Sequence, residues 1–148
     1  MKEFDYTLDY KNIFMAKNDP RYRIGRGEQG VLLVRPYTDV ICPLWKFKTP
    51  EIARASSSLI YLLYESYKER GDFVGMDMCR KFLEMGFTRA RRYANHANGR
   101  KYNAEGSIIP QERNALTCEK AISARIFKKV RDEVAYDPIY KAMRTEWR

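Results

Sequence analysis

The residue types best suited to chemistry crowd into one short stretch. Thr88-Arg89-Ala90-Arg91-Arg92-Tyr93-Ala94-Asn95-His96 is followed almost at once by Asn98, Gly99, Arg100, Lys101 and Tyr102. Guanidinium groups fork onto phosphate oxygens, asparagine adds donors, and tyrosine adds a face on which a base can stack. Residues 73–101 hold seven basic and two acidic side chains, whereas residues 49–72 hold three and four, so the positive charge is placed rather than spread. Arg89, Arg91, Arg92, Asn95, Arg100 and Lys101 therefore form a candidate polyanion-binding set. On a helix, Arg91, Arg92 and Asn95 lie opposite the apolar face, and Arg89 and Arg92 are one turn apart, close enough to share an oxyanion. The plainer alternative is a solvated helix end whose arginines complement the helix dipole and pair with carboxylates elsewhere.

Two further groups bear on phosphate chemistry. His96 follows the arginines and is a candidate acid or base, with Tyr93 and Tyr102 near it in sequence. No carboxylate is placed in the sequence to orient it and no nucleophile signature accompanies it. Gly25-Arg26-Gly27-Glu28-Gln29-Gly30 matches the GxGxxG string. A dinucleotide fold needs a strand before that string, whereas here the apolar run Val31–Val34 follows it. Gly25, Arg26, Gly27 and Gly30 remain a possible phosphate loop. Glycines that permit a tight turn with left-handed backbone angles explain the string more simply.

The cysteines Cys42, Cys79 and Cys118 are odd in number and widely spaced, so neither a disulfide framework nor a zinc-ligand pair is visible. No metal and no cofactor are expected. Asp72 and Asp77 flank a helix start, where capping and solvation account for them. The formal net charge is +9, with 45% hydrophobic and 32% charged residues, which excludes a disordered chain and favours polyanionic partners. The N-terminal stretch MKEFDYTLDYKNIF has no apolar run and does not read as a signal peptide, and no segment approaches a membrane span. A cytoplasmic protein without membrane contact is the expectation.

These groups must be positioned by a small number of elements. Val31–Arg35 reads as a strand and Val40–Phe47 as a weaker edge strand broken by Pro43, joined by a turn at 36–39. Thr49-Pro50-Glu51 opens a helix with an N-cap, a first-turn proline and an acidic residue. Its apolar positions are Ile52, Ala55, Leu59, Leu62, Leu63 and Tyr67, and Gly71 ends it. Asp72 caps a second long helix with Phe73, Met76, Cys79, Phe82, Leu83, Gly86, Ala90 and Tyr93 on one face and a bend or break expected near Gly86. Residues 98–113 read as a loop. A third helix follows from about 114 to 135, with Leu116, Ile122, Ile126, Phe127, Val130 and Val134 inward. Asp137-Pro138 caps a short final helix. The fold class is then α+β: one domain over residues 1–148, mainly helical, with a small N-terminal antiparallel β-hairpin. Its parts are an aromatic-rich segment at 1–48, a two-helix core at 49–97, the loop at 98–113 and a helical tail at 114–148.

The strings YRIGRGEQGVLLVRPY, FKTPEIA and GDFVGMDMCRKFLEMGFTRARRYANH, within the span Tyr6 to Tyr102, resemble a domain family of unknown function shared by bacteria and their tailed phages. The resemblance implies a cytoplasmic setting in a bacterium or an infected host cell, and transfers no functional residue. The residues themselves favour a small basic polyanion-binding protein with nucleic acid as its partner. One alternative is an enzyme on a phosphorylated or nucleotide substrate. Another is a protein-interaction factor that binds an acidic protein, for which an exposed apolar patch near Trp45 or Trp147 would be the mark.

Overall fold

A computed structural model describes residues 3–96 and 118–147 of the chain. Among the described residues five α-helices follow one another: α1 (Tyr37–Ile41), α2 (Pro50–Glu69), α3 (Phe73–Asn95), α4 (Glu119–Ala135) and α5 (Pro138–Trp147). Two single 3-10 turns, Tyr10–Asn12 and Cys42–Leu44, punctuate the N-terminal third. The described residues contain no strand, which corrects the expected α+β class and its hairpin.

The physical reason lies in the spacing of the VLLVR run. Val31 and Val34 are buried while Leu32 and Leu33 are exposed, a three-residue step that suits successive turns and no pleated sheet. The amides of Val31 and Leu33 donate to the carbonyls of Glu28 and Gly30, and that of Thr38 donates to Val34, so the run winds directly into α1. Among the described residues its β-branched side chains find no neighbouring strand on which to pack. The expected turn at 36–39 and the first residues of the second expected strand form α1, and that strand continues as the Cys42–Leu44 turn, with Pro43 in the turn's first positions.

The helix signals hold where they are local. The Thr49 hydroxyl accepts from the amide of Ile52 at 3.2 Å. Asp72 accepts from the amide of Gly75 at 3.1 Å. Asp137 accepts from the amide of Ile139 at 3.0 Å. Gly71, with φ of +68°, occupies the left-handed position after α2, and the amide of Asp72 reaches back to the Tyr67 carbonyl.

The buried face of α2 differs from the expected one. Leu59 and Leu62 are 48% and 64% exposed, while Ala53, Ser56, Ser57, Ile60, Tyr64 and Tyr67 face inward. Small residues let α2 approach its neighbours closely, and the buried hydroxyls of Ser56 and Tyr64 are hydrogen-bonded. The Ser56 hydroxyl donates to the Leu44 carbonyl at 2.6 Å and accepts from the Lys46 amide at 2.9 Å. The Tyr64 hydroxyl donates to Asp137 at 2.7 Å.

α3 is the central element: every residue from Phe73 to Leu83 is buried, and its most extensive packing is against α4. It runs unbroken past Gly86, so no break occurs there. Gly86 is required by proximity, since a Cβ there would lie only 2.4 Å from the ring of Phe127 on α4. Gly86→Ala is accordingly expected to force α3 and α4 apart and to cost about 1–3 kcal/mol as overpacking, measured as a lowered urea midpoint at unchanged m value.

Candidate functional site

Two arrangements on α3 carry the polar chemistry. The first is centred on Asp77, which is fully buried in the inner half of the helix. Its position follows from spacing, because Arg80 and Lys81 stand three and four residues later and so lie one turn along the same side. Arg80 Nε donates to Asp77 Oδ1 at 2.8 Å, and Lys81 Nζ stands 4.0 Å from Oδ2. The hydroxyls of Tyr22 and Tyr140 also donate to the Asp77 carboxylate, Tyr140 at 2.5 Å. Arg144 of α5 is 4.0 Å from Asp77 Oδ1. The carboxylate expected to serve as a solvated helix-start residue is therefore the anionic centre of a buried network.

Burial would raise the carboxyl pKa of Asp77, but the charges of Arg80 and Lys81 outweigh it and hold it at about 2. For Lys81 burial dominates, and the nearby Asp77 only partly offsets it, leaving the ammonium at about 7. The Lys81 Nζ also lies 4.8 Å from the ring centres of both Phe4 and Tyr22, which stabilises its charge through their faces.

The glycine-rich loop closes over this network. Arg80 Nη1 donates to the Gly27 carbonyl at 2.8 Å, and Lys81 Nζ donates to the Gln29 carbonyl at 2.7 Å. Gly25, Gly27 and Gly30 have φ of +69°, +53° and +76°. The amides of Arg26, Gln29 and Val31 are engaged within the loop, the first by the Gln29 side chain at 2.8 Å. A phosphate-cradling loop directs amides outward at an anion, whereas this loop directs carbonyls inward at two cations. Arg26 is exposed and pairs with Glu3 at 3.2 Å. Glu28 accepts from the Thr88 hydroxyl at 2.8 Å, which lays the loop along α3 as far as the arginine-bearing turn.

The second arrangement is at the far end of α3. Arg92 is exposed, while Arg89, Arg91 and Asn95 are half-buried. No carboxylate among the described residues pairs with Arg89 or Arg92. Arg91 has partners of its own. Arg100 and Lys101 lie outside the described residues. His96, expected at the surface, is buried at the helix C-terminus, and its amide donates to the Arg92 carbonyl at 2.8 Å. Its Nδ1 is buried without a hydrogen-bond partner.

Beside this helix end is a mostly apolar cleft of about 480 Å³ lined by Trp45, Lys46, Phe47, Lys48, Ile52, Tyr93 and Lys120. The rings of Trp45 and Phe47 are 5.2 Å apart, and those of Phe47 and Tyr93 are 6.1 Å apart. Lys120 Nζ is 5.1 Å from the Phe47 ring centre and donates to the Lys48 carbonyl at 2.9 Å, which pins α4 across the segment. Arg89 precedes Tyr93 by four residues and so lies one turn away on the same side of α3. Trp45 lines the cleft, and its buried indole N–H has no acceptor. Trp147, by contrast, packs inward: its ring lies 5.2 Å from that of Phe73, and its Nε1 donates to the Tyr22 carbonyl at 2.8 Å. The aromatic and basic alternation of Trp45-Lys46-Phe47-Lys48 was the sequence signal for this cleft, and a strand reading of the same residues concealed it.

The chain belongs to the family described as Domain of unknown function (DUF4385), whose model matches residues 5–148. The match extends through the helical tail, beyond the strings on which the resemblance rested. No curated protein and no solved structure matches the chain. Among the described residues, no helix is long and apolar enough to cross a membrane.

Asp77→Asn is expected to leave two buried cations without a counter-charge and to cost about 3–5 kcal/mol, read from chemical denaturation. The pH dependence has two parts. Asp77 is held at about 2 against about 3.9 in an unfolded chain, so its contribution is complete above about pH 4 and is lost as pH falls through 2. Lys81 titrates at about 7 when folded and near 10.4 when unfolded, so the unfolded chain binds more protons between these values. This group therefore makes stability climb as pH rises above 7, and the climb should vanish in Lys81→Met when the two unfolding free energies are compared from pH 6 to 9.

Proposed function

We propose that this member of a family of unknown function binds nucleic acid, with single-stranded segments held in the cleft between Trp45, Phe47 and Tyr93 and the backbone tracked by the surrounding cations. The observation that carries this reading is the joining of ring faces and positive charge at one place. Exposed Lys46 and Lys48 flank the rings. Arg89 and Arg92 follow on α3, with Arg91 and Asn95 beside them and Arg100 and Lys101 next in the chain. Aromatic faces stack on any base, and lysine and arginine neutralise phosphates without reading sequence. The unpartnered indole N–H of Trp45 offers a donor to a ligand that enters the cleft. The role fits a cytoplasmic protein of a bacterium or a phage-infected cell.

Trp45 and Trp147 are the two tryptophans of the chain. A Trp147→Phe variant therefore leaves Trp45 as the sole indole reporter in the cleft. Titration with single-stranded oligonucleotides should quench this emission, and affinity should fall steeply with added salt as counterion release weakens. Tyr93→Ala should lose about 1–3 kcal/mol of stacking, and Lys48→Ala should flatten the salt slope by about one phosphate contact. Absence of quenching by RNA and DNA strands alike would overturn the proposal. Equal binding by an acidic polypeptide, insensitive to Tyr93→Ala, would replace it with a protein-interaction role.

A further inference from the structure

A second cleft opens thirteen residues back along α3, from Tyr93 to Arg80, or about 20 Å at the helical rise. Its volume is about 340 Å³, in the range of small-ligand sites. Arginines from three helices meet there: Arg80 of α3, Arg131 of α4 and Arg144 of α5. Glu84 and Asp132 also line it, and both accept from Arg131, Asp132 at 2.8 Å. Arg144 Nη1 donates to the Tyr140 hydroxyl at 3.0 Å. Arg80 is more than nine-tenths buried, with Nε on Asp77 and Nη1 on the Gly27 carbonyl. Its Nη2 is buried and has no hydrogen-bond partner. A buried cation with an unanswered N–H is costly, and a guanidinium offers a matched fork to an oxyanion.

We infer that this cleft is a binding site for a small molecule bearing one anionic group, a phosphate or a carboxylate, held by the guanidinium groups of Arg80 and Arg144. The two carboxylates decide the size of the ligand. Glu84 and Asp132 repel an extended polyphosphate chain but accept hydroxyl or ammonium groups on the remainder of a compact ligand. The exposed ring of Tyr136 supplies an apolar wall at the cleft edge. The site is thus chemically unlike the aromatic cleft and independent of nucleic-acid binding.

The test is thermal unfolding of the full chain against inorganic phosphate and, separately, acetate, with ionic strength held constant by potassium chloride. A saturable rise in Tm is expected from ligand linkage, with apparent affinity at least tenfold weaker in Arg144→Gln and unchanged in Tyr93→Ala. Saturation by phosphate assigns a phosphate ligand, and saturation by acetate assigns a carboxylate. In the unsubstituted protein, the arginine side-chain Nε–H resonances should include one that shifts along the same saturation curve, a readout that survives if Arg144→Gln folds poorly. A rise that does not saturate, or that persists in Arg144→Gln, would show only the general stabilising effect of the salt. Unmoved arginine resonances would mean that water alone completes Arg80. Either result overturns the inference.

Discussion

A single carboxylate buried in the central helix ties together parts of the chain that are distant in sequence. Asp77 gathers a phenol from residue 22, two cations from its own helix and a phenol from residue 140. The cations in turn reach the carbonyls of residues 27 and 29. Among the described residues no sheet holds the irregular N-terminal third, and ionic and carbonyl contacts fasten it to α3. Buried charge networks of this kind are weak sources of net stability, because desolvation opposes the Coulombic gain. Their effect is to penalise any arrangement in which one member lacks its partners. That penalty selects one docking of the loop on the helix.

The same network determines what the positive charge is available to do. Arg80 and Lys81 contribute to the charge excess of residues 73–101, yet both are buried and compensated by Asp77. Of the α3 cations, those of the last turns are consequently the ones left outside this network, and lysines from other segments join them. Lys46 and Lys48 come from the stretch before α2, and Lys120 comes from the first turn of α4. α4 packs closely on α3 at Gly86, where the missing side chain admits the Phe127 ring, and its first turn brings Lys120 to the aromatic cleft.

Several elements were legible from residue order alone. The caps Thr49, Asp72 and Asp137 and the stop at Gly71 are local devices, and each acts within a few residues of its place in the chain. The inward face of α2 was not legible, because hydrophobicity ranked Leu59 and Leu62 above Ser56, Ser57 and Tyr64. Close approach favours small residues, and the tyrosine hydroxyl finds a partner on Asp137, seventy-three residues away. A periodicity count weighs neither effect.

The sequence by itself determined the existence of the helices after residue 49, the caps of α2, α3 and α5, the cationic character of the protein and the stretch of α3 in which arginines accumulate; the expected start of the third helix near 114 lies outside the described residues, and α4 begins at Glu119. Those features rest on backbone preference and composition, which act over one or two turns. Only the tertiary structure decided that the VLLVR run turns instead of pairing, that Asp77 is a core anion, that the glycine loop offers carbonyls to cations, and that rings from residues 45, 47 and 93 share a cleft. Each of these depends on which distant group meets a given side chain, and a buried polar atom takes its role from that partner.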